Sequence, residues 1–116
     1  MIILYINESP KSKTFQYKES ALVRKSHDYN IYFDNTITIT DKIHTNIINL
    51  IDYHKPSSLI VKSLNEFEFS PTLISEMLMK IVDKDVSFYS IDDNIYLTKQ
   101  DKLDVYPTIF TVFRNK

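Results

Sequence analysis

The sequence predicts an α/β domain of three layers, in which helices cover both faces of a mostly parallel sheet of four to five strands. The clearest observation is that residues 58–91 hold a short apolar run, an amphipathic helix and a second apolar run. Strand, helix and strand within about thirty residues form a βαβ unit, which requires parallel strands and a right-handed crossover. The second observation is the nearly continuous apolar run at residues 1–6, which is typical of a strand buried on both faces. We therefore expect residues 1–6 and 58–63 to be adjacent central strands of one domain, residues 1–116.

After the first strand, apolar spacing predicts a helix and then a short strand. Residues 15–26 are predicted as a weakly amphipathic helix with Phe15, Ala21 and Leu22 facing inwards. Residues 29–33 are predicted as a second short strand because aromatic and β-branched residues favour strands.

Residues 36–40 alternate Thr and Ile, and we predict an extended loop there rather than an edge strand. Asp41 is predicted to cap a second helix, which ends before Pro56 because the residue preceding a proline disfavours helical geometry. The residues predicted to share one face of this helix are Ile43, Ile47, Leu50, Ile51 and His54.

Within the βαβ unit, Ser70 and Pro71 mark the start of the helix as N-cap and first helical residue. The apolar face of that helix consists of Leu73, Ile74, Met77, Leu78, Ile81 and Val82. Residues 95–97 are predicted as a fifth short strand, which follows the acidic turn at residues 92–94.

The last apolar segment is predicted to be a short helix that begins at Pro107. Its spacing places Ile109, Phe110 and Phe113 on one face, with Val112 beside them. Because a free helix of ten residues is unstable in water, this segment must dock on its own sheet or on a partner.

Composition excludes several classes of site. The 116 residues carry a net charge of −1 and contain neither cysteine nor glycine. Disulfides, thiolate zinc sites and glycine-rich phosphate loops are therefore excluded, and we expect no cofactor or metal. The absence of cysteine fits a reducing cytoplasm. We expect neither a signal peptide nor a membrane span, because no apolar run approaches about 20 residues.

Two stretches carry a resemblance to a known family. Residues 5–9 read Tyr-Ile-Asn-Glu-Ser, and residues 59–69 read Leu-Ile-Val-Lys-Ser-Leu-Asn-Glu-Phe-Glu-Phe. In order and spacing they resemble the catalytic domain of serine recombinases of the resolvase/invertase family. That family has a Tyr-x-Arg-x-Ser motif with a nucleophilic serine and a Leu-Asp-Arg-Leu-Gly-Arg signature. The resemblance implies a resolvase-like catalytic domain fold across almost the whole chain.

The chain departs from these motifs at the residues that carry the family's chemistry. Ser9 occupies the position of the nucleophile, but Asn7, Glu66 and Phe69 occupy the positions of arginines that bind the DNA phosphate. The Asp and Gly of the signature are Asn65 and Glu68. The residue left as a candidate for another active-site cation is Lys42. Phosphoryl transfer requires preorganised cations near the developing charge, so we predict a domain that does not cleave DNA.

Ser9 has two interpretations. As a nucleophile it would need a neighbouring base or a cationic pocket, which the sequence does not provide. As a structural residue it would end the first strand and hydrogen-bond to nearby backbone, and we favour this vestigial role. The histidines lack ligand spacing, and the acidic turn at residues 92–93 with Asp101 and Asp104 is predicted to be solvated rather than a magnesium site.

The candidate interaction residues are apolar side chains that the predicted core does not obviously need. Phe67 and Phe69 lie in the polar loop after the third strand and are expected to be exposed for a partner. The other candidates are Ile109, Phe110 and Phe113 in the C-terminal segment.

We therefore predict a non-catalytic domain that acts through protein–protein interaction, with itself as a homodimer or with a true recombinase of a phage or mobile element. One alternative is residual phosphoryl-transfer or hydrolytic activity that uses Ser9 or the acidic turn. Another is weak nucleic-acid binding through basic residues near the first helix, namely Lys11, Lys13, Lys18, Arg24 and Lys25. In the resembling family this domain is followed by a long helix that contacts DNA and by a separate DNA-binding domain, and we expect this chain to lack both. We therefore expect nucleic-acid binding to be weak or absent.

Overall fold

The computed structural model describes residues 1–9, 11–28, 31, 36–40 and 44–115. The strands are β1 (Ile2–Tyr5), β2 (Thr36–Ile39), β3 (Ser58–Val61), β4 (Ser87–Ser90) and β5 (Ile95–Leu97). The helices are α1 (Phe15–Asp28), α2 (His44–His54), α3 (Pro71–Asp83) and α4 (Val105–Arg114). Two 3₁₀ helices, Leu64–Glu66 and Lys99–Asp104, lie in the loops after β3 and β5.

The described strands form one sheet in the order β2-β1-β3-β4-β5. The first four strands are parallel, and β5 pairs antiparallel with β4. The predicted adjacency of the two apolar strands is confirmed, because β1 pairs with β3 and sets Ile3 opposite Leu59. All of β1 and residues 59–61 of β3 are buried, which explains why these positions are apolar.

The prediction of a loop at residues 36–40 is wrong, since Thr36–Ile39 is a strand paired with β1. An edge strand needs only one hydrogen-bonded neighbour, and the side chain of Ile37 packs against the core while Thr36 is exposed. The Thr-Ile alternation therefore marks a half-buried edge strand. Of the strand predicted at residues 29–33, only Ile31 is described; it is buried and outside regular structure. The predicted cap Asp41, together with Lys42 and Ile43, lies outside the described residues.

Helices cover both faces of the sheet, as predicted, but unequally. The face that carries Ile3 and Leu59 packs against α2, α3 and α4 and forms the larger core. The face that carries Leu4 and Ile60 packs against α1 through Leu22 and forms the smaller one. A strand whose successive side chains enter two cores must be apolar at every position, as β1 is.

Helix ends show how the chain manages without glycine. Ser70 accepts a hydrogen bond from the backbone N–H of Leu73 at 3.2 Å, with Pro71 as the first helical residue, as predicted. Where glycine commonly adopts positive φ, this chain uses Lys55 after α2 and Asp85 after α3, with φ of 49° and 63°. Left-handed geometry costs a residue with a Cβ about 1–2 kcal/mol, so these caps work against the stability of the fold.

Candidate functional site

The fold brings the two motif stretches together at one edge of the sheet. Because β1 and β3 are adjacent and parallel, the residues that follow them lie at the same edge. The side-chain amide of Asn7, just after β1, donates a hydrogen bond to Glu68 Oε1 at 2.9 Å, 61 residues away. This hydrogen bond links the two motif stretches.

Glu8 is the most heavily hydrogen-bonded side chain beside Ser9. Its Oε1 accepts hydrogen bonds from the hydroxyls of Ser12 and Thr14, and its Oε2 lies 2.9 Å from Lys18 Nζ. These donors, Ser12 first, lower the pKa of Glu8 from 4.5 to about 2. The same contact raises the pKa of Lys18, and the charge of Glu66 adds to that shift. Glu8 is therefore ionised throughout the physiological range, and a carboxyl with so low a pKa is a poor general base.

The hydrogen bond from Ser12 predicts how Glu8 titrates. A depressed folded-state pKa contributes stability above pH 4.5, and this contribution is lost as the pH falls towards 2. We expect Ser12→Ala to move the pKa of Glu8 upwards towards 4.5, because it removes the largest cause of the shift. NMR titration of the Glu8 carboxyl carbon measures this pKa. Ser12→Thr keeps the hydroxyl and is the matched control; an unchanged pKa in Ser12→Ala would contradict the assignment.

Ser9 lies four residues beyond the end of β1, and its vestigial role stays a prediction. It is exposed, and its Oγ accepts a hydrogen bond from the backbone N–H of Lys11 at 3.3 Å. The charged groups described on the loops after β1 and β3 are of both signs. Glu8, Glu66 and Glu68 are negative, Lys11, Lys13 and Lys62 are positive, and the ammonium of Lys18 pairs with Glu8.

A hydrogen bond to Asp93 holds the start of the loop after β3 in place. Oδ2 of Asp93 accepts hydrogen bonds from the backbone N–H of Leu64 and from the hydroxyl of buried Ser90, both at 2.7 Å. This carboxylate joins the loop after β3 to the turn between β4 and β5. The Asp101 carboxylate is also hydrogen-bonded, because Asp101 forms a capping box with Thr98 at the start of the 3₁₀ helix Lys99–Asp104.

The expectation that Phe67 is exposed for a partner is wrong. Its side chain is 3% exposed, and its ring centroid lies 4.9 Å from that of Tyr5 and 6.3 Å from that of Phe88. Phe69 is half-buried and stacks on Phe67 at 6.0 Å. The 3₁₀ helix Leu64–Glu66 turns the loop inwards, so that Leu64 and Phe67 both enter the larger core. Leu64 and Phe67 are three residues apart, and this spacing was the feature of the sequence that could have predicted their burial on one side of a helical turn.

The prediction that Ile109, Phe110 and Phe113 share a face of α4 is wrong in part. Ile109 is fully buried and Phe113 packs against the core, whereas Phe110 is 36% exposed. The helix begins at Val105 rather than Pro107, because the preceding 3₁₀ helix leads directly into it. Proline is tolerated in the first turn, where backbone N–H groups have no intrahelical partner.

An exposed surface, of which the sequence indicated only Phe110, lies where the 3₁₀ helix Lys99–Asp104 leads into α4. Leu103 is 87% exposed, and the rings of Tyr106 and Phe110 stack with centroids 6.1 Å apart and an interplanar angle of 14°. We call Leu103, Tyr106 and Phe110 the α4 surface. Beside it, between α3 and α4, runs an open groove of about 440 Å³. The residues that line the groove are Glu76, Met79, Lys80, Asp83, Lys102 and Tyr106.

The structure is similar to the crystal structure of a resolvase-family site-specific recombinase from Streptococcus pneumoniae. The superposition has a TM-score of 0.60 and covers 98% of this chain and 87% of that chain, at 19% sequence identity. The chain has a resolvase-like fold. This confirms the fold implied by the two motif stretches. No protein-family model matches the sequence, and no curated protein matches it.

In this resolvase-like fold the candidate basic patch near α1 is partly neutralised. Lys18 pairs with Glu8, and Lys25 Nζ lies 3.0 Å from Asp92 Oδ1. Two of the five cations considered for nucleic-acid binding thus already have acidic partners.

No metal-binding cluster and no membrane-crossing helix occur in the described part of this fold. Among residues 1–9, 11–28, 31, 36–40 and 44–115, no three His, Asp or Glu side chains are placed to hold a metal ion. Within the same residues, no helix has the length and apolar character needed to cross a membrane.

Proposed function

We propose that this chain is a non-catalytic, resolvase-like domain that acts by binding another protein. The observation that carries the proposal is the set of contacts made by Asn7 and Glu8, the two side chains that precede Ser9. Glu8 stays ionised because three donors bind it, and Glu68 binds Asn7 at the position of a family arginine. Catalysis at a phosphodiester would need cations in these places.

The loss of cations has a large expected effect on phosphoryl transfer. Removing one preorganised donor from a site that stabilises developing charge typically costs about 10²–10³ in rate. Here Asn7, Glu66 and Phe69 replace three arginines of the resembling motifs, and Glu66 adds repulsion. A phosphate near Ser9 would therefore lack the three cations that the resembling motifs supply.

The α4 surface supports the binding half of the proposal. Large apolar side chains exposed side by side are uncommon on proteins that act alone and mark contact sites. Leu103 is 87% exposed and Phe110 is 36% exposed. The similarity to a site-specific recombinase supports the hypothesis that the partner is this chain itself or a true recombinase of a phage or mobile element.

The test of the non-catalytic half is incubation with supercoiled DNA, followed by denaturing electrophoresis and peptide mapping. We expect no strand cleavage and no DNA end linked to the Ser9 peptide. Ser9→Ala is the matched control and should be indistinguishable from the unaltered protein. A Ser9-linked DNA end that disappears in Ser9→Ala would overturn the proposal in favour of residual phosphoryl transfer.

The same preparation tests the nucleic-acid alternative. Binding through the α1 lysines would depend steeply on salt, because bound phosphates release counterions. We expect no measurable affinity for duplex or single-stranded DNA at about 150 mM salt. Salt-dependent binding that Arg24→Ala weakens would support the alternative.

A further inference from the structure

We infer that the β4–β5 edge of the sheet forms a binding site for a small, uncharged aromatic heterocycle of the nucleobase or nucleoside class. The ring of the ligand stacks on Tyr96, and its polar edge bonds to the backbone of the same residue. The site lies on the opposite face of the sheet from α4, because its other aromatic residue, Tyr89, packs against the smaller core. It is therefore separate from the protein-binding function proposed above.

Two tyrosines on neighbouring strands form the platform of this site. Tyr89 of β4 lies directly opposite Tyr96 of β5, and their rings stack with centroids 4.4 Å apart and an interplanar angle of 21°. Tyr89 is half-buried, whereas Tyr96 is 54% exposed. Tyr89 therefore supports the ring of Tyr96 and leaves part of that ring accessible. A supported, exposed aromatic ring is a surface on which any nucleobase can stack, because every base has a π-face.

A cavity of about 260 Å³ opens beside the tyrosine pair. It is smaller than most sites for drug-sized ligands, which have roughly 300–1,000 Å³, and suits a single small ring system. The residues that line it are Tyr89, Ser90, Ile91, Asn94, Ile95 and Tyr96. None of these side chains is charged at neutral pH, since burial and the hydrogen bond with Tyr96 raise the pKa of Tyr89 to about 12. The lining therefore favours an uncharged ring over a phosphate, to which it offers no cation.

The backbone of Tyr96 supplies a hydrogen-bond donor and an acceptor at the open edge of the sheet. The N–H of Ser87 donates to the carbonyl of Ser57, on the β3 side of β4, at 3.0 Å. Because backbone direction alternates along a strand, Tyr89 also faces β3 and exchanges no backbone hydrogen bonds with Tyr96. The N–H and C=O of Tyr96 therefore point away from β4, on the side where the described sheet ends.

The edge groups on either side of Tyr96 are already bonded within the chain. The N–H of Asn94 donates to the carbonyl of Ile91, and the N–H of Thr98 donates to the Asp101 carboxylate at 2.9 Å. A peptide that adds to a sheet edge as a new strand needs several donor–acceptor pairs in a row. The edge of a nucleobase presents one donor beside one acceptor, which matches the single pair at Tyr96.

Titration of the ¹⁵N-labelled full chain with adenosine, followed by NMR chemical shifts, tests this site. We expect saturable shifts at residues 89–96 with a dissociation constant on the order of 1 mM, because one stacked ring must offset the cost of association. Tyr96→Ala should weaken binding at least about tenfold, whereas Tyr96→Phe keeps the stacking ring and should bind within about twofold of the unaltered protein. The matched control is Tyr53→Ala on α2, another exposed tyrosine at 81%, which should leave the affinity unchanged.

Two further ligands test the chemistry without any change in the protein. N6,N6-dimethyladenosine keeps the ring and lacks the donor on its edge, so it should bind at least about fivefold more weakly than adenosine. Adenosine monophosphate should bind no more tightly than adenosine, because the lining of the cavity has no cation. Tenfold tighter binding of the monophosphate would mean that a phosphate is recognised, and the assignment would be wrong.

The site is also rejected if adenosine causes no saturable shifts at residues 89–96 up to about 10 mM, well above the expected dissociation constant. Equal weakening by Tyr96→Ala and Tyr53→Ala would reject it as well. Neither result would affect the proposed protein-binding function, which concerns the α4 surface on the other side of the sheet.

Discussion

Replacement of Phe67 by alanine is expected to lower the free energy of unfolding by about 3–5 kcal/mol, the usual cost of removing a buried phenylalanine ring. The ring is 3% exposed and contacts the rings of Tyr5 and Phe88, so its removal leaves a cavity between β1 and β4. The cavity cannot close easily, because the loop that carries Phe67 is held by the hydrogen bond from Leu64 to Asp93. Since domains of this size are stable by about 5–15 kcal/mol, the loss would be a large part of the total.

Urea unfolding followed by circular dichroism measures this loss. Phe69→Ala is the matched control, because Phe69 lies two residues away and stacks on Phe67 but is only half-buried. We expect that control to cost about 1–2 kcal/mol, since less area returns to water. The slope of unfolding against urea should be the same in both variants, which shows that the denatured state is unchanged. Equal losses in the two variants would mean that Phe67 is not the core residue of this loop.

The sheet was predictable where hydrophobic patterning alone decides the structure. β1 and residues 59–61 of β3 are apolar because each strand contributes to both cores, and this pattern clearly indicates central strands. We predicted a loop at the edge strand β2 because the strand pairs with β1 alone and its described side chains are exposed or half-buried. An alternating Thr-Ile segment satisfies an edge strand and an extended loop equally well, and only its pairing with β1 decides between them.

Side-chain exposure in the loops was less predictable than the fold, because it depends on backbone turns that have no strong sequence signal. Phe67 enters the core after a three-residue 3₁₀ helix, a turn that polar neighbours do not reveal. On α4, Ile109 faces the core, whereas the next residue, Phe110, lies about 100° further round the helix and is partly exposed. Leu103 was overlooked because it lies between acidic and basic residues, where a single leucine carries no periodic signal.

The sequence predicted which residues belong to the candidate site, but it did not predict the contacts between them. The sequence indicates that Asn7 and Glu68 occupy positions of the resembling motifs, but the bond between them depends on the parallel pairing of β1 and β3. The network around Glu8 involves residues up to ten positions apart, which a helix start and a tight turn bring together. Neither arrangement follows from spacing alone.

Replacement of Ile109 by aspartate is expected to destabilise the domain by at least about 4 kcal/mol, whereas the same change at the next residue, Phe110, should cost about 1 kcal/mol. Ile109 is fully buried in the larger core and would place an unpaired carboxylate among apolar side chains. Phe110 points outwards, so its replacement exposes the new charge to water and removes only part of a buried ring.

The two variants share the helix and differ in the face that they alter, so each controls for the loss of helix propensity in the other. Urea unfolding at neutral pH gives both free energies, and circular dichroism shows whether Ile109→Asp folds at all. We expect Ile109→Asp to be largely unfolded or close to its midpoint without urea, and Phe110→Asp to unfold near the midpoint of the unaltered protein. If both variants unfolded alike, α4 would be a helix with two buried faces, and the α4 surface would not be free to bind a partner.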